Sequence, residues 1–157
     1  MVLTRHLDYY CTDDGAKLLE TYPDFINNIW LNDNNREWWF KKDNKIFTKI
    51  NNLYVEKTGT DYKELLQYKE MDKLLHSNQY KHIRVAKTFF GTSDKILLEY
   101  CKFRYNMQQS TNSVHANAAA IEELWNLGMM GIPMDLCVEP NGDLIILDPH
   151  IPILDRE

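Results

Sequence analysis

What this sequence lacks sets most of its limits. No stretch of its 157 residues approaches the roughly 18–20 consecutive apolar residues that cross a bilayer. The opening MVLTRHLDYYCTDDG has no apolar run of the signal-peptide kind, so a cytoplasmic protein without membrane association is expected. Cysteine is scarce: Cys11, Cys101 and Cys137 are an odd number without metal-ligand spacing. They read as reduced, buried thiols of a reducing compartment. The histidines His6, His76, His82, His115 and His150 show no pairing on one helix face that would hold a metal. No G-x-S-x-G elbow is present to supply an activated serine. Repeats and Gly/Ser/Pro-rich linkers are missing too. Nor is there an excess of positive charge: 18 Lys and Arg face 23 Asp and Glu, for a formal net charge of −5. That balance argues against general nucleic-acid binding, which needs clustered cations, although Lys41-Lys42 and Lys45 form a local basic patch. An acidic surface suits a soluble domain or a basic protein partner.

What is present suffices for one core. The chain is 44% hydrophobic and 12% aromatic, and its length is that of one domain. Residues 1–36 read as an N-terminal helical segment, helical from about Asp14 to Leu31. Asp13 or Asp14 would cap that helix and Pro23 would break it. Residues 37–157 read as the main domain of a single compact α+β unit. There Trp38-Trp39-Phe40 and Ile46–Ile50 flank Asp43-Asn44 as a hairpin, and a third strand follows at Leu53–Glu56. A helix is expected from Asp61 to His76, with Glu64 placed for a capping box. Strands at Ile83–Phe90 and Lys95–Tyr100 come next, then a helix from Ser113 to Leu127. A hairpin closes the series, Leu136–Glu139 and Asp143–Leu147 around Pro140-Asn141-Gly142. Asn27-Asn28, Asn34-Asn35 and Asn51-Asn52 mark turns, since Asn tolerates left-handed backbone. Alternation places one of Trp38 and Trp39 outside unless a neighbour covers it; core filling by both is the favoured reading.

Three charged residues stand out in this order: Lys49 inside an apolar strand, Glu64 near the start of the next helix, and Asp148 at the end of the last hairpin strand. A lysine that neutralises phosphate charge, a helix glutamate that holds it and an aspartate that binds magnesium are the parts by which kinases hold ATP. Each residue also has a plainer reading. Lys49 fits an edge lysine that snorkels to solvent, Glu64 a helix cap with Glu70 as rival partner, and Asp148-Pro149 a strand terminator.

The ending DLCVEPNGDLIILDPHIP resembles the magnesium-binding hairpin of the small protein kinases of tailed phages. NKIFTKI is similar to their phosphate-lysine strand, DYKELLQYKEM to the glutamate helix, KILLEYCKF to the strand entering the hinge, and HANAAAIEELWNLGMMGI to the helix before the catalytic loop. Only their order, over residues 38–153, carries the likeness. It implies a cut-down kinase-like fold: a small antiparallel sheet with a helix, packed on a helical part bearing the terminal hairpin. It implies ATP and Mg2+ as cofactors, with Lys49 and Glu64 at the nucleotide and Asp148 at the metal. Asp135 would serve in the catalytic loop.

The departures are as specific. With Asp135 as catalytic aspartate, no Asn follows at the right offset; with Asp135 in the Asn place, Met130 stands where that aspartate belongs. KKDNK offers no glycine for a phosphate loop, and the sequence ends soon after Asp148, so no activation segment is expected. The resemblance thus implies a pseudokinase more than a serine/threonine protein kinase. It would act on a host bacterial protein during takeover or counter-defence. The alternative is an inhibitory module that binds a host factor and ignores nucleotide.

Overall fold

A computed structural model describes residues 4–5, 9–32, 34, 36–101, 104–105, 116–127 and 136–147. The fold is α+β, with two sheets and a few helices. The chain divides into two compact units, Met1–Leu66 with Lys87–Tyr100, and Gln67–Ala86 with Cys101–Glu157.

The first unit is built on a seven-stranded antiparallel sheet. Its strands are β1 (Thr4–Arg5), β2 (Tyr10–Cys11), β3 (Arg36–Lys42), β4 (Lys45–Ile50), β5 (Tyr54–Thr58), β7 (Thr88–Gly91) and β8 (Lys95–Glu99). Their order is β1-β2-β7-β8-β5-β4-β3. Strands β3, β4 and β5 form a meander because asparagine-rich turns favour it. Asp43 and Asn44 take φ of 51° and 66°, the left-handed pair that suits the twist of a two-residue hairpin. Asn51 and Asn52 do the same, at 60° and 56°, between β4 and β5. A bulge between Trp38 and Phe40 shifts the register of β3. Trp38 is left 65% exposed, while Trp39 is half-buried against Phe40 and Tyr100. Core filling by both tryptophans is therefore corrected: neither ring is buried.

The N-terminal segment covers one face of this sheet. Helix α1 (Asp13–Thr21) is capped by Thr12, not by Asp13 or Asp14. The Thr12 hydroxyl accepts from Gly15 N–H at 3.0 Å and donates to the Thr88 carbonyl at 2.5 Å, tying cap to strand. Pro23 ends the helix as expected. Past it, Ile26–Trp30 makes one turn of π-helix, with Leu31 N–H donating to the Ile26 carbonyl at 2.8 Å. That wide turn delivers Trp30 into a core with Cys11, Phe25, Ile50, Phe89, Phe90 and Leu97. Trp30 lies 5.7 Å from Phe90, centroid to centroid.

Helix α2 (Glu64–Ser77) starts three residues later than expected, its first turn belonging to the first unit. Asp61 sits outside it and accepts Lys63 N–H at 2.9 Å. Gly91 makes this join possible, since a Cβ there would come within 2.8 Å of Leu65 and 2.9 Å of the Tyr62 backbone.

In the second unit β6 (Ile83–Val85), β9 (Arg104–Tyr105), β10 (Leu136–Val138) and β11 (Leu144–Ile146) form a mixed sheet ordered β6-β11-β10-β9. The apolar run Ile83–Phe90, read as one strand, is in fact two: β6 pairs parallel to β11, while β7 joins the first sheet. The closing hairpin is as expected, with Gly142 at φ 92° in its turn. Helix α3 (Ala118–Asn126) is capped by Asn117, whose side chain accepts from Ala120 N–H at 2.7 Å. Among the described residues no helix is long and apolar enough to cross a membrane.

Candidate functional site

β5 is flanked by β4 and β8, which cover both of its edges, and Val55, Glu56 and Lys57 are all buried, so both of its faces are covered as well. Alternation sends Glu56 to one face and Lys57 to the other. On the Glu56 side the carboxylate, with its side chain 4% exposed, receives Trp30 Nε1 at 3.0 Å, the Arg36 guanidinium and Lys95 Nζ at 3.4 Å. One acid thus satisfies a buried indole and two cations, and it locks the π-turn to the sheet.

On the opposite face Lys57 points toward the start of α2. Its side chain is 1% exposed and its ammonium is ion-paired with Glu64 Oε1, itself 5% exposed. The Thr60 hydroxyl donates to the other oxygen of Glu64. Phe47, directly across from Lys57 on β4, presents its ring 5.7 Å from Nζ. An ammonium carries three N–H donors. Among the described residues Glu64 is its acceptor.

The expected pair of Lys49 with Glu64 is not the one formed. Lys49 Nζ lies 3.6 Å from Glu37 on β3 and 5.6 Å from the Tyr100 ring. Its side chain is 19% exposed beside edge strand β3. Glu70, the rival partner, is exposed. Asp135 and Asp148 lie outside the described residues, as does Met130. Sequence reasoning missed Lys57 because the third strand was ended at Glu56, two residues short of Thr58. The available signal was Val55-x-Lys57 at a spacing of two on the strand between two others, the position most completely covered.

Lys49 nevertheless shares the face of Lys57. The register sets Lys42 opposite Lys45, Phe40 opposite Phe47, Phe47 opposite Lys57, and Lys49 opposite Val55. Phe40 and Phe47 stack at 4.2 Å, and Trp39 stands edge-on to Tyr100 at 5.2 Å. One sheet face of an acidic protein thus gathers Lys42, Lys45, Lys49 and Lys57 around aromatic rings. On it Glu37 pairs with Lys49 and Glu64 with Lys57.

The second unit holds a polar hub of its own. Asp143 accepts from Asn117 at 2.7 Å and from Asn141 at 3.2 Å, and pairs with His82 Nδ1 at 2.9 Å. Burial alone would raise its carboxyl pKa. The hydrogen bonds from His82, Asn117 and Asn141, with the His82 charge, outweigh burial and hold it below the ordinary value. The hub joins the start of β6, the cap of α3 and the final turn. All three cysteines are buried, and burial, aided by the Asp13 charge, pushes the Cys11 thiol up to about 11. Such a thiol is protonated and unreactive at neutral pH. Among the described residues no three of His, Cys, Asp and Glu converge as metal ligands.

Comparison of the chain with protein-family models, with curated proteins and with solved structures gave no match.

Proposed function

We propose that this chain is a reduced protein-kinase-like domain that binds a nucleoside triphosphate at Lys57 and acts as a pseudokinase on a host protein. The observation that carries this reading is the buried Lys57–Glu64 pair. Its lysine stands on the third strand of a meander and its glutamate in the first turn of the following helix. Protein kinases give those stations to the lysine that grips the α/β-phosphates and to the glutamate that holds it. The resemblance to small phage kinases supports the same order of elements, with Lys57 taking the role first given to Lys49.

The energetics support a ligand as well. A well-packed apolar pair in place of a buried ion pair is often neutral or more stable by about 1–4 kcal/mol. Stability alone gives little reason to bury Lys57 and Glu64. A polyphosphate gives one, since the pair presents a fixed cation in a low-dielectric site. In this reading Asp148 supplies the magnesium ligand and Asp135 stands alone in a depleted catalytic loop, so binding outlasts phosphoryl transfer.

Thermal unfolding with and without ATP and excess Mg2+ tests this. Ligand at 100 times its dissociation constant adds about 2.7 kcal/mol, or roughly 5–10 °C at this chain length. The shift is expected in the wild type, smaller in Asp148→Ala and absent in Lys57→Met. A folded wild type without any shift would remove the nucleotide from the proposal. One observation favours the second reading, a protein-binding module: Trp38, 65% exposed on edge strand β3, is the kind of aromatic that anchors interfaces.

A further inference from the structure

We infer that the outer edge of β3, with the strip of sheet beside it, is a docking surface for an acidic, extended segment of a partner protein that adds to the sheet as a further strand. This rests on the second reading, in which Trp38 anchors a partner, and not on nucleotide at Lys57. β3 ends the order of the first sheet, so among the described residues no strand pairs with its outer side. A strand in that position presents a row of backbone N–H and C=O groups to an extended chain. Proteins ordinarily keep such edges short, yet Arg36–Lys42, at seven residues, is the longest strand described.

The side chains beside that edge are open as well. Trp38, Thr48 and Glu56 lie across from one another, as do Lys41, Ile46 and Thr58, and alternation puts all six on one face. The N-terminal segment covers this face as far as Glu56, which receives Trp30 and Arg36. Beyond it Trp38 is 65% and Ile46 39% exposed. In a regular strand Trp38 and Lys41 would point to opposite sides; the bulge between Trp38 and Phe40 brings them to the same one. Lys41 is exposed, and among the described residues no carboxylate pairs with it. Glu37 is turned to the other face, toward Lys49. Charge then selects the occupant. Lys41, Lys42 and Lys45 against Asp43 make this hairpin tip positive on a chain of net charge −5. A second copy would bring the same lysines to the same edge, and lysines with a bulge are what keep edge strands from pairing with their own kind. An acidic segment meets no such barrier. On β4, Ile46 and Thr48 face Lys41 and Trp38, so a partner strand meets the two with residues at that same alternate spacing: an acid for Lys41 and an apolar residue for Trp38.

Selection of short peptides from a random displayed library on the wild type, with counter-selection on Trp38→Ser, tests this. The variant keeps the core intact, because Trp38 lies mostly in solvent. Selected peptides should carry an acid and an apolar residue at alternate positions, and their affinity should fall as salt rises. In fluorescence anisotropy the best of them is expected to lose about tenfold or more to Trp38→Ser and about threefold to Lys41→Glu. Lys63→Glu, at an exposed lysine ahead of α2, should stay within about twofold. Proline in the middle of the peptide should abolish binding, since it cannot donate to the ladder. Basic or uncharged peptides that depend on Trp38 overturn the acidic partner and leave Trp38 as an anchor. Acidic peptides indifferent to proline overturn strand addition. No Trp38-dependent peptide, or Trp38-dependent binding of a single-stranded oligonucleotide in its place, overturns both the surface and the part of Trp38 in the second reading.

Discussion

Replacing Lys57 by methionine leaves the Glu64 carboxylate 5% exposed with the Thr60 hydroxyl as its remaining partner. Replacing Glu64 by methionine leaves an ammonium 1% exposed with no carboxylate beside it. Breaking a buried pair in this way costs about 3–5 kcal/mol, most of it the penalty of an uncompensated buried charge. A domain of ordinary stability, about 5–15 kcal/mol, survives such a loss. The double variant Lys57→Met/Glu64→Met removes both charges and keeps most of the volume, so it should return to within about 1–2 kcal/mol of wild type or exceed it. Urea unfolding followed by tryptophan fluorescence reads this directly, because Trp30, Trp38 and Trp39 all belong to the first unit. With a slope near 2 kcal/mol/M, each single variant should shift the midpoint down by about 1.5–2.5 M, and the double should restore most of it. Single costs below about 1 kcal/mol that simply add in the double would refute the reasoning. They would mean that the two charges do not share a dry environment.

Two further outcomes test other parts of the account. Gly15→Ala in α1 should destabilise by about 1–3 kcal/mol in urea titrations even though alanine is the better helix former, because its Cβ would collide with the Phe89 carbonyl. Asp143→Ala should cost about 1–2 kcal/mol at neutral pH through lost bonds to His82, Asn117 and Asn141. Because the folded carboxyl sits below its ordinary value of 3.8, that contribution is complete above pH 3.8 and fades as pH falls through the lower folded value. Acid titration of the wild type and the variant should therefore converge at the acid end, and a difference that stays constant there would count against the hub.

Local chemistry made much of the fold legible. Asp43-Asn44 and Asn141-Gly142 announced their hairpins because few residues accept left-handed backbone. Pro23 announced the break after α1 because it cannot continue a helix. What stayed hidden depends on contacts distant in sequence. Nothing within Ile83–Phe90 marks where the chain leaves one sheet for another, since both strands are apolar. Thr12 became the cap in place of its acidic neighbours because its hydroxyl also reaches the Thr88 carbonyl, a strand away. Lys49 and Lys57 look alike in sequence, each standing two residues after an apolar strand residue, Phe47 and Val55. What separates them is that β5 lies between β4 and β8 with Glu64 reaching Lys57, whereas β4 lies next to the edge strand.

The central claim is that Lys57 is buried to hold an anionic ligand and not to hold the fold. Equilibrium binding of a fluorescent ATP analogue, with Mg2+, to wild type and to folded Lys57→Met/Glu64→Met tests it most directly. The account predicts saturable binding by the wild type, displaced by ATP, and none by the stable double variant. Equal binding by both proteins, or none by the folded wild type, would contradict it.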